Sequence, residues 1–225
     1  MHHYPIYLSL EAASCVVVGA GKVGKRKISS LFQANATEIL VFDPGVTDED
    51  AASLEATPGV RVFTRSVTKS DLERKRLVFA ASSDSRENAR VAALCASLGV
   101  FCNVADAPEL GTFIVPATTE THGLMAAFST EGKSPALARR IKEDARSWLD
   151  TNYGPLLELM GRIRPLVLSL GFTSDENAMI FRTLVYSRLG ELLVIGDKVA
   201  VEKLVAMLLP APLHCHIEEL LDGLC

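Results

Sequence analysis

The feature of this sequence that most constrains its fold is a glycine-rich hexamer directly behind a short apolar run. The run Cys15-Val16-Val17-Val18 is typical of a strand buried on both faces, and it leads into Gly19-Ala20-Gly21-Lys22-Val23-Gly24. Helix-forming residues then fill positions 22–34. A G-x-G-x-x-G sequence between a strand and a helix is typical of the turn that binds a dinucleotide. The hexamer therefore predicts a dinucleotide site in a Rossmann unit; a structural turn that binds nothing is the alternative.

Each position of the hexamer has a physical role in such a site. Gly19 permits the tight turn after the strand, Gly21 lets the backbone approach the diphosphate, and Gly24 lets the helix pack close to the strand. Lys22 and Val23 lie in the first helical turn, where unpaired N–H groups and the helix dipole favour an anion. We therefore expect all five residues to contact the cofactor.

Two further groups of residues follow strands at the same expected edge of the sheet. Asp43 lies 19 residues after the hexamer, at the end of a predicted strand, where a carboxylate accepts hydrogen bonds from the adenosine ribose. Because a carboxylate repels a 2′-phosphate, Asp43 and its neighbour Pro44 predict NAD as the cofactor rather than NADP; a turn residue in Asp-Pro-Gly is the alternative. Ser82 and Ser83 end a later strand, and they either bind the cofactor or cap the next helix.

Strands alternate with helices over the first half of the chain. Apolar runs predict β-strands at 38–42, 60–63, 77–81 and 100–104, with a helix over 85–98. This alternation indicates a parallel sheet with right-handed crossovers. The predicted fold class is therefore α/β, with an N-terminal Rossmann parallel sheet in residues 1–112.

The pattern changes after residue 111. Thr112–Pro116 and Leu124–Ser129 are predicted to form two strands around a turn at His122-Gly123. Ser134 and Pro135 then favour a helix start, with serine as the cap and proline at the first helical position. From about residue 153 the pattern is helical, with predicted breaks at Gly154-Pro155, Pro165, Gly171, Gly196 and Pro210. We therefore predict a small α+β segment (a β-hairpin plus a helix) at 113–150 and a C-terminal helical domain at 151–225.

Composition limits the classes of partner. The 27 acidic and 23 basic residues give a net charge of −4, so the chain lacks the excess of positive charge that is typical of nucleic-acid-binding proteins. The five cysteines form no C-x-x-C pair, and their odd number favours a reducing compartment over a disulfide framework. The amino terminus lacks the pattern of a signal peptide, and no apolar run approaches the roughly 18 residues of a membrane helix. We therefore expect a cytoplasmic protein with no nucleic-acid or membrane partner.

Five segments together resemble the precorrin-2 dehydrogenase family of siroheme biosynthesis. They are Tyr4-Pro5-Ile6-Tyr7-Leu8, the glycine turn with Lys25-Arg26-Lys27, Cys102-Asn103-Val104-Ala105-Asp106-Ala107-Pro108, Phe113-Ile114-Val115-Pro116-Ala117, and Ser129-Thr130-Glu131-Gly132-Lys133-Ser134-Pro135-Ala136-Leu137-Ala138-Arg139-Arg140. They follow the family's order over roughly residues 4–149, whereas the region after residue 150 resembles the family only in being helical. The family includes the amino-terminal part of multifunctional siroheme synthases and a fungal dehydrogenase–ferrochelatase.

The resemblance implies a reaction, a catalytic residue and an oligomer. The family removes two electrons from precorrin-2, passes hydride to NAD⁺ and releases sirohydrochlorin. Its catalytic aspartate falls in the Asn-Val-x-Asp segment and carries over to Asp106, as proton acceptor or substrate-orienting group; from the residues alone, a turn-forming aspartate before Ala-Pro is the alternative. Asn103 is expected to be structural. In the family the middle segment mediates dimerisation, so we expect residues 113–150 to be a dimerisation segment and the protein to be a homodimer.

The helix that begins at Ser134 predicts how the substrate, a polycarboxylate tetrapyrrole, is bound. Apolar residues at helical spacing are expected to face the core, namely Leu137, Ile141, Ala145 and Trp148. Cationic residues on another stripe are expected to bind substrate carboxylates, namely Arg139, Lys142 and Arg146. A solvated face paired with Glu143 and Asp144 is the alternative. Thr130 and Lys133 in the preceding loop complete the predicted substrate site, although Thr130, like Ser134, is also suited to capping the helix.

Two features stand apart from this assignment. Glu131 lies where many family members have glycine, and it adds a carboxylate near a polyanionic ligand. His214-Cys215-His216 has the residue types of metal ligands, but neighbours on a helix point in different directions and no fourth ligand lies at zinc spacing, so we predict no metal site. Three functions remain open: the dehydrogenase alone, which we favour, a bifunctional dehydrogenase and sirohydrochlorin ferrochelatase, and an NAD(H)-sensing Rossmann module without chemistry.

Overall fold

A computed structural model describes residues 3–224, and the chain divides into two compact units. The first unit ends at Val115 and the second begins at Pro116. The hairpin and all the later helices belong to the second unit. The three-part division at residues 112 and 150 stays a prediction.

The first unit is built on a five-stranded parallel sheet in the order β3-β2-β1-β4-β5. Its strands are β1 (Ser14–Val18), β2 (Glu38–Phe42), β3 (Val60–Phe63), β4 (Leu77–Ala80) and β5 (Phe101–Val104). The chain builds outward from β1 to β3 and then returns to place β4 on the other side of β1. In such sheets the ligand lies at the carboxyl edge, beside this reversal of strand order. The predicted α/β fold with a Rossmann parallel sheet is confirmed.

Helices cover both faces of this sheet, which explains why its strands are continuous apolar runs. They are α1 (Lys22–Gln33), α2 (Asp48–Glu55), α3 (Lys69–Leu72) and α4 (Ser85–Leu98), and a 3₁₀ turn over Pro108–Leu110 follows β5. Val17 of β1 shares one core layer with Ile28 of α1. Val16, its neighbour on the strand, shares the opposite layer with Val91 of α4. Burial on both sides fixes the register of β1 and therefore the position of the glycine turn that follows it.

The second unit begins with a β-hairpin formed by β6 (Ala117–Thr121) and β7 (Leu124–Phe128). The predicted turn at His122-Gly123 is confirmed, since both residues have positive φ, +48° and +80°, as a tight two-residue hairpin turn requires. The prediction of a first strand at Thr112–Pro116 is wrong. Thr112 instead bonds with Cys102 of β5, its N–H donating to the Cys102 carbonyl at 2.8 Å, so this stretch belongs to the edge of the first unit.

A single long helix, α5 (Pro135–Ser169), follows the hairpin. Its start is as predicted, because Ser134 Oγ accepts a hydrogen bond from the Leu137 N–H and proline occupies the first turn. The predicted breaks at Gly154-Pro155 and Pro165 are wrong, because the helix continues through all three residues. A buried apolar stripe begins directly after Pro155 and continues past Pro165, formed by Leu156, Leu159, Ile163 and Val167. Tertiary burial of this stripe outweighs the roughly 3 kcal/mol that an internal proline costs a helix.

Shorter helices complete the second unit. They are α6 (Ser174–Tyr186), α7 (Leu189–Ile195), α8 (Lys198–Leu208) and α9 (Ile217–Leu221), with a 3₁₀ stretch over Ala211–His216 before α9. Their apolar faces meet the second half of α5 in one core that includes Leu184, Leu193 and Val205. The prediction that the C-terminal region is helical is confirmed.

The first half of α5 departs from the prediction about its apolar stripe. Leu137, Ile141 and Trp148 are 52%, 37% and 55% exposed, so the prediction that they face the core is wrong for an isolated chain. Ala138 is the buried residue of this half instead. Helical spacing shows only that a face is apolar, and it does not show whether the chain's own core or another surface covers that face.

Candidate active site

The glycine turn joins β1 to α1 at the carboxyl edge of the sheet, and it requires glycine at two positions. Gly19 has φ of +99°, and a Cβ there would lie 2.5 Å from the Ala81 carbonyl oxygen. A Cβ on Gly24 would lie 1.8 Å from the Gly19 carbonyl oxygen, so only glycine lets α1 approach the turn this closely. By contrast, a Cβ on Gly21 would meet nothing within 4 Å, which leaves its backbone open to a ligand.

The amino end of α1 has free capacity for an anion. Its cap residue is Gly21, and no side chain in the described part of the chain caps the helix. By comparison, Thr47 caps α2 and Asp84 caps α4 through their side-chain oxygens. The first N–H groups of α1 therefore have no internal acceptor, as suits a helix start that binds a diphosphate. The predicted contacts Lys22 and Val23 are both exposed in this first turn.

Asp43 connects the end of β2 to the glycine turn. Its Oδ2 accepts a hydrogen bond from the Ala20 N–H at 2.8 Å, and its Oδ1 accepts one from the Gly45 N–H at 2.8 Å. Each carboxylate oxygen keeps a second lone pair, so these bonds are compatible with a ribose hydroxyl as a further donor. Asp43 therefore stabilises the turn, as the alternative interpretation expected. The contact of Asp43 and Pro44 with the ribose stays a prediction.

The turn after β4 lies against the glycine turn. A Cβ on Gly19 would lie 2.7 Å from the Ser82 nitrogen, so the two turns are in direct contact. Ser82 Oγ accepts a hydrogen bond from the Asp84 N–H at 3.1 Å, and Ser83 is exposed. Because Asp84 caps α4, the alternative that Ser82 or Ser83 is the helix cap is wrong. A cofactor contact by these two serines stays a prediction.

Asp106 follows β5 at the same carboxyl edge. Adjacent strands lie about 4.8 Å apart, and β4 separates β1 from β5, so the Asp106 turn and the glycine turn are roughly 10 Å apart along the edge. Asp106 Oδ1 accepts a hydrogen bond from Asn88 Nδ2 at 2.8 Å, and Oδ2 accepts one from the Ser85 hydroxyl. The Ser85 hydroxyl, and after it the Asn88 amide, lowers the pKa of the exposed Asp106 carboxyl. Asp106 is therefore an ionised, oriented carboxylate.

Sequence reasoning did not identify Ser85 and Asn88. They are three residues apart in the first turn of α4, so their side chains share one face of the helix. Two polar residues at this spacing, in a helix that starts at the ligand edge of the sheet, are the sequence pattern that could have identified them. Asn103, by contrast, donates from Nδ2 to the Phe113 carbonyl at 3.0 Å, which confirms the expectation that it is structural.

The predicted substrate residues lie in the second unit. Thr130 Oγ1 accepts a hydrogen bond from the Ser134 N–H at 3.1 Å, and Lys133 is exposed. In the part of the chain that the structure describes, Arg139 and Lys142 form no salt bridge. The Thr121 hydroxyl, and to a smaller extent the charge of Arg146, lowers the pKa of Asp150. The acidic neighbour Asp144 pairs instead with Arg140, which is off the cationic stripe. The predicted substrate contacts stay predictions.

The loop before α5 shows why the family's glycine suits position 131. Glu131 has φ of +50°, in the left-handed region that costs a residue with a Cβ roughly 1 kcal/mol. Its N–H donates to Ser129 Oγ at 3.1 Å. The chain therefore keeps the backbone conformation of a glycine turn while carrying a carboxylate at its tip.

The histidine and cysteine side chains near the carboxyl terminus bond locally. His214 Nε2 lies 3.0 Å from the Leu209 carbonyl oxygen, and Cys215 Sγ donates to the Pro212 carbonyl. His216 Nδ1 lies 3.7 Å from Glu219 Oε2. Among residues 3–224 no three His, Cys, Asp or Glu side chains are grouped so as to hold a metal ion. Cys225 lies outside the described residues, and Cys15, Cys95, Cys102 and Cys215 are free thiols.

Comparison with known proteins agrees with this geometry. A family described as NAD(P)-binding matches residues 6–117. The siroheme synthase of Enterobacter sp. (strain 638) is 32% identical and that of Escherichia coli O1:K1 / APEC is 33% identical, each over 99% of this chain and 49% of the relative. The chain therefore spans about half the length of these relatives. The solved structure of SirC, precorrin-2 dehydrogenase, is 26% identical, with a TM-score of 0.67, and the match covers 89% of this chain and 100% of that chain.

These likenesses and the glycine turn define a Rossmann-type NAD(P)-binding protein. Within that class, the chain is similar to siroheme synthases over nearly its whole length, and its fold is similar to that of SirC, precorrin-2 dehydrogenase. Over residues 3–224, none of the helices combines the length and the apolar character that crossing a membrane requires.

Proposed function

We propose that this protein is an NAD-dependent precorrin-2 dehydrogenase that produces sirohydrochlorin. The single observation that carries the proposal is the ionised Asp106 carboxylate at the same sheet edge as the open backbone of Gly21. The proposal is supported because this carboxylate and the open glycine turn lie about two strand spacings apart, on the side of the sheet where Rossmann ligands bind.

The reaction removes one hydride and one proton from the substrate. Bound NAD⁺ supplies the hydride acceptor, and the substrate carbon skeleton gains one double bond. Asp106 receives the proton, or orients a pyrrole N–H through its unshared lone pairs, because its lowered pKa keeps it ionised near neutral pH. The Gly21 backbone and the uncapped start of α1 hold the diphosphate. Asp43 disfavours a 2′-phosphate, so the preferred cofactor is NAD rather than NADP.

The cationic stripe of α5 binds the carboxylates of the substrate. Arg139 and Lys142 form no salt bridge within residues 3–224, so their charges are available to an anionic ligand. A guanidinium binds a carboxylate in a bidentate manner, which adds orientation to the electrostatic attraction. Thr130 and Lys133 extend the contact into the loop before α5.

The functional protein is a homodimer. Leu137, Ile141 and Trp148 form an exposed apolar face on the first half of α5, and a second copy of the chain is the partner that covers it. The proposed location is the cytoplasm, because the free thiols of Cys15, Cys95 and Cys102 suit a reducing compartment.

Substitution of the proposed base separates an enzyme from a nucleotide sensor. Asp106→Asn keeps the shape and the Ser85 contact but removes the negative charge. We expect NAD⁺ affinity, measured by calorimetry, to stay within about threefold of wild type, since the diphosphate turn is untouched. We expect sirohydrochlorin formation from precorrin-2 to fall on the order of 100-fold or more. Unchanged turnover in Asp106→Asn would show that Asp106 is not the base. Absence of turnover in the wild type would favour a nucleotide sensor over an enzyme.

A further inference from the structure

One buried amide contacts both sides of the candidate active site. The Asn88 side chain, in the first turn of α4, is only 1% exposed. Its Oδ1 accepts a hydrogen bond from the Ser82 N–H at 3.0 Å. Its two amide hydrogens are directed to the Ser82 carbonyl oxygen at 3.0 Å and to Asp106 Oδ1 at 2.8 Å. A single side chain thus joins the turn after β4 to the carboxylate after β5.

The hydrogen bonds leave this amide only one orientation. Both donors and the acceptor of Asn88 are used, and flipping the amide would point oxygen at oxygen in at least two of the three contacts. A buried amide that lost these partners would cost about 1–3 kcal/mol, so the network is stable against rotation. Asp106 itself is exposed to solvent, so burial does not fix its rotamer. Its orientation therefore comes from the two donors, Asn88 and Ser85.

We propose that Asn88 is a positioning residue that ties the Asp106 carboxylate to the cofactor-side turn at Ser82. This inference rests on the proposed function, in which Ser82 lines the cofactor site and Asp106 acts on the substrate. Because the Ser82 turn contacts Gly19, Asn88 connects the glycine turn to the carboxylate through one continuous set of contacts. The orientation of Asp106 is thereby linked to the cofactor site instead of to the adjacent loop alone.

The first test replaces the amide with a carboxylate of the same shape. In Asn88→Asp an oxygen replaces the donor 2.8 Å from Asp106 Oδ1, and two carboxylates this close cannot both ionise freely. We expect the acidic limb of the kcat–pH profile to move upward by about one pH unit or more. The matched control is Asn103→Asp, another buried amide of the same sheet edge that donates to the Phe113 carbonyl and forms no hydrogen bond with the Asp106 carboxylate. An equal shift in both variants, or no shift in Asn88→Asp, would overturn the inference.

The second test is a double-mutant cycle with Asn88→Ala and Asp106→Ala. If Asn88 acts through Asp106, Asn88→Ala lowers kcat on the order of 10-fold to 100-fold in the wild-type background and leaves kcat unchanged when Asp106 is already alanine. A merely structural role would give the same loss in both backgrounds and would contradict the inference. Should Asn88→Ala fail to fold, as judged by circular dichroism, the pH profile of Asn88→Asp decides alone.

The two proposals fail in distinguishable ways. If Asp106→Ala keeps the kcat of the wild type, the proposed base is wrong, and the role of Asn88 fails with it. If Asp106→Ala loses activity while Asn88→Ala gives equal losses in both backgrounds, only the positioning role is wrong.

Discussion

The close approach of α1 to the glycine turn makes Gly24→Ala the sharpest structural perturbation of the cofactor site. The added methyl group would lie 1.8 Å from the Gly19 carbonyl oxygen, and ordinary contact begins at 3.4 Å. The helix and the turn must therefore separate by roughly 1.6 Å. The two atoms that would clash both belong to the Gly19 backbone, so no flexible side chain can absorb the shift. Separation also carries the N–H groups at the start of α1 away from the diphosphate.

Both stability and affinity should fall by amounts that follow from this displacement. Overpacking of this kind costs about 1–3 kcal/mol, which lowers the unfolding temperature by roughly 2–12 °C. Loss of the helix-start interaction costs up to about 2 kcal/mol of binding, or roughly 30-fold in the Kd for NAD⁺. Differential scanning calorimetry measures the first effect, and isothermal titration with NAD⁺ measures the second.

Gly21→Ala provides the matched control within the same hexamer. Its added Cβ meets nothing within 4 Å, and the residue has φ of −69°, which any amino acid adopts. The unfolding temperature should change by less than about 2 °C, because no atom must move. NAD⁺ affinity should still fall, since the methyl group points into the space through which the diphosphate approaches. Normal NAD⁺ binding by Gly21→Ala, or wild-type stability and affinity in Gly24→Ala, would refute this account of the turn.

Two further variants test other parts of the molecule. Arg65 holds the pKa of Asp71 well below its usual range, so the stability contributed by this carboxylate is present above about pH 4 and is lost as the pH falls. Asp71→Asn should therefore lower the unfolding temperature by about 2–4 °C at neutral pH, and the difference from wild type should shrink on acidification; a constant difference would contradict the cause. Trp148→Glu should convert the proposed dimer to a monomer in analytical ultracentrifugation, whereas Leu168→Glu, on the second half of the same helix, should leave the dimer intact; a dimeric Trp148→Glu would exclude this face.

The parallel sheet and its cofactor turn could be predicted from the sequence because local patterns determine them. Strands buried on both faces need continuous apolar runs, and the turn needs glycine where any Cβ would collide with backbone. The bonds from Ser85 and Asn88 to Asp106 could not be predicted in the same way. They depend on how closely the start of α4 approaches the loop after β5, and no short stretch of sequence encodes that distance.

The second unit shows where local patterns mislead. Pro155 and Pro165 predict helix breaks, but a buried stripe that begins at Leu156 and continues past Pro165 keeps α5 continuous. The tight turn at His122-Gly123 sets the hairpin register, in which Thr121 pairs with Leu124 and β6 begins at Ala117. The predicted first strand at Thr112–Pro116 is wrong because Thr112 bonds with Cys102 of β5. Each error comes from tertiary contacts that outweigh a local preference.

Hydride transfer from precorrin-2 tests the central claim most directly. The purified protein is mixed with precorrin-2 and NAD⁺ in the absence of added metal, and NADH and sirohydrochlorin are followed together by absorbance. The account predicts equal molar amounts of both products, with neither formed when NAD⁺ or precorrin-2 is left out. Tight NAD⁺ binding with no NADH formed on addition of precorrin-2 would contradict it.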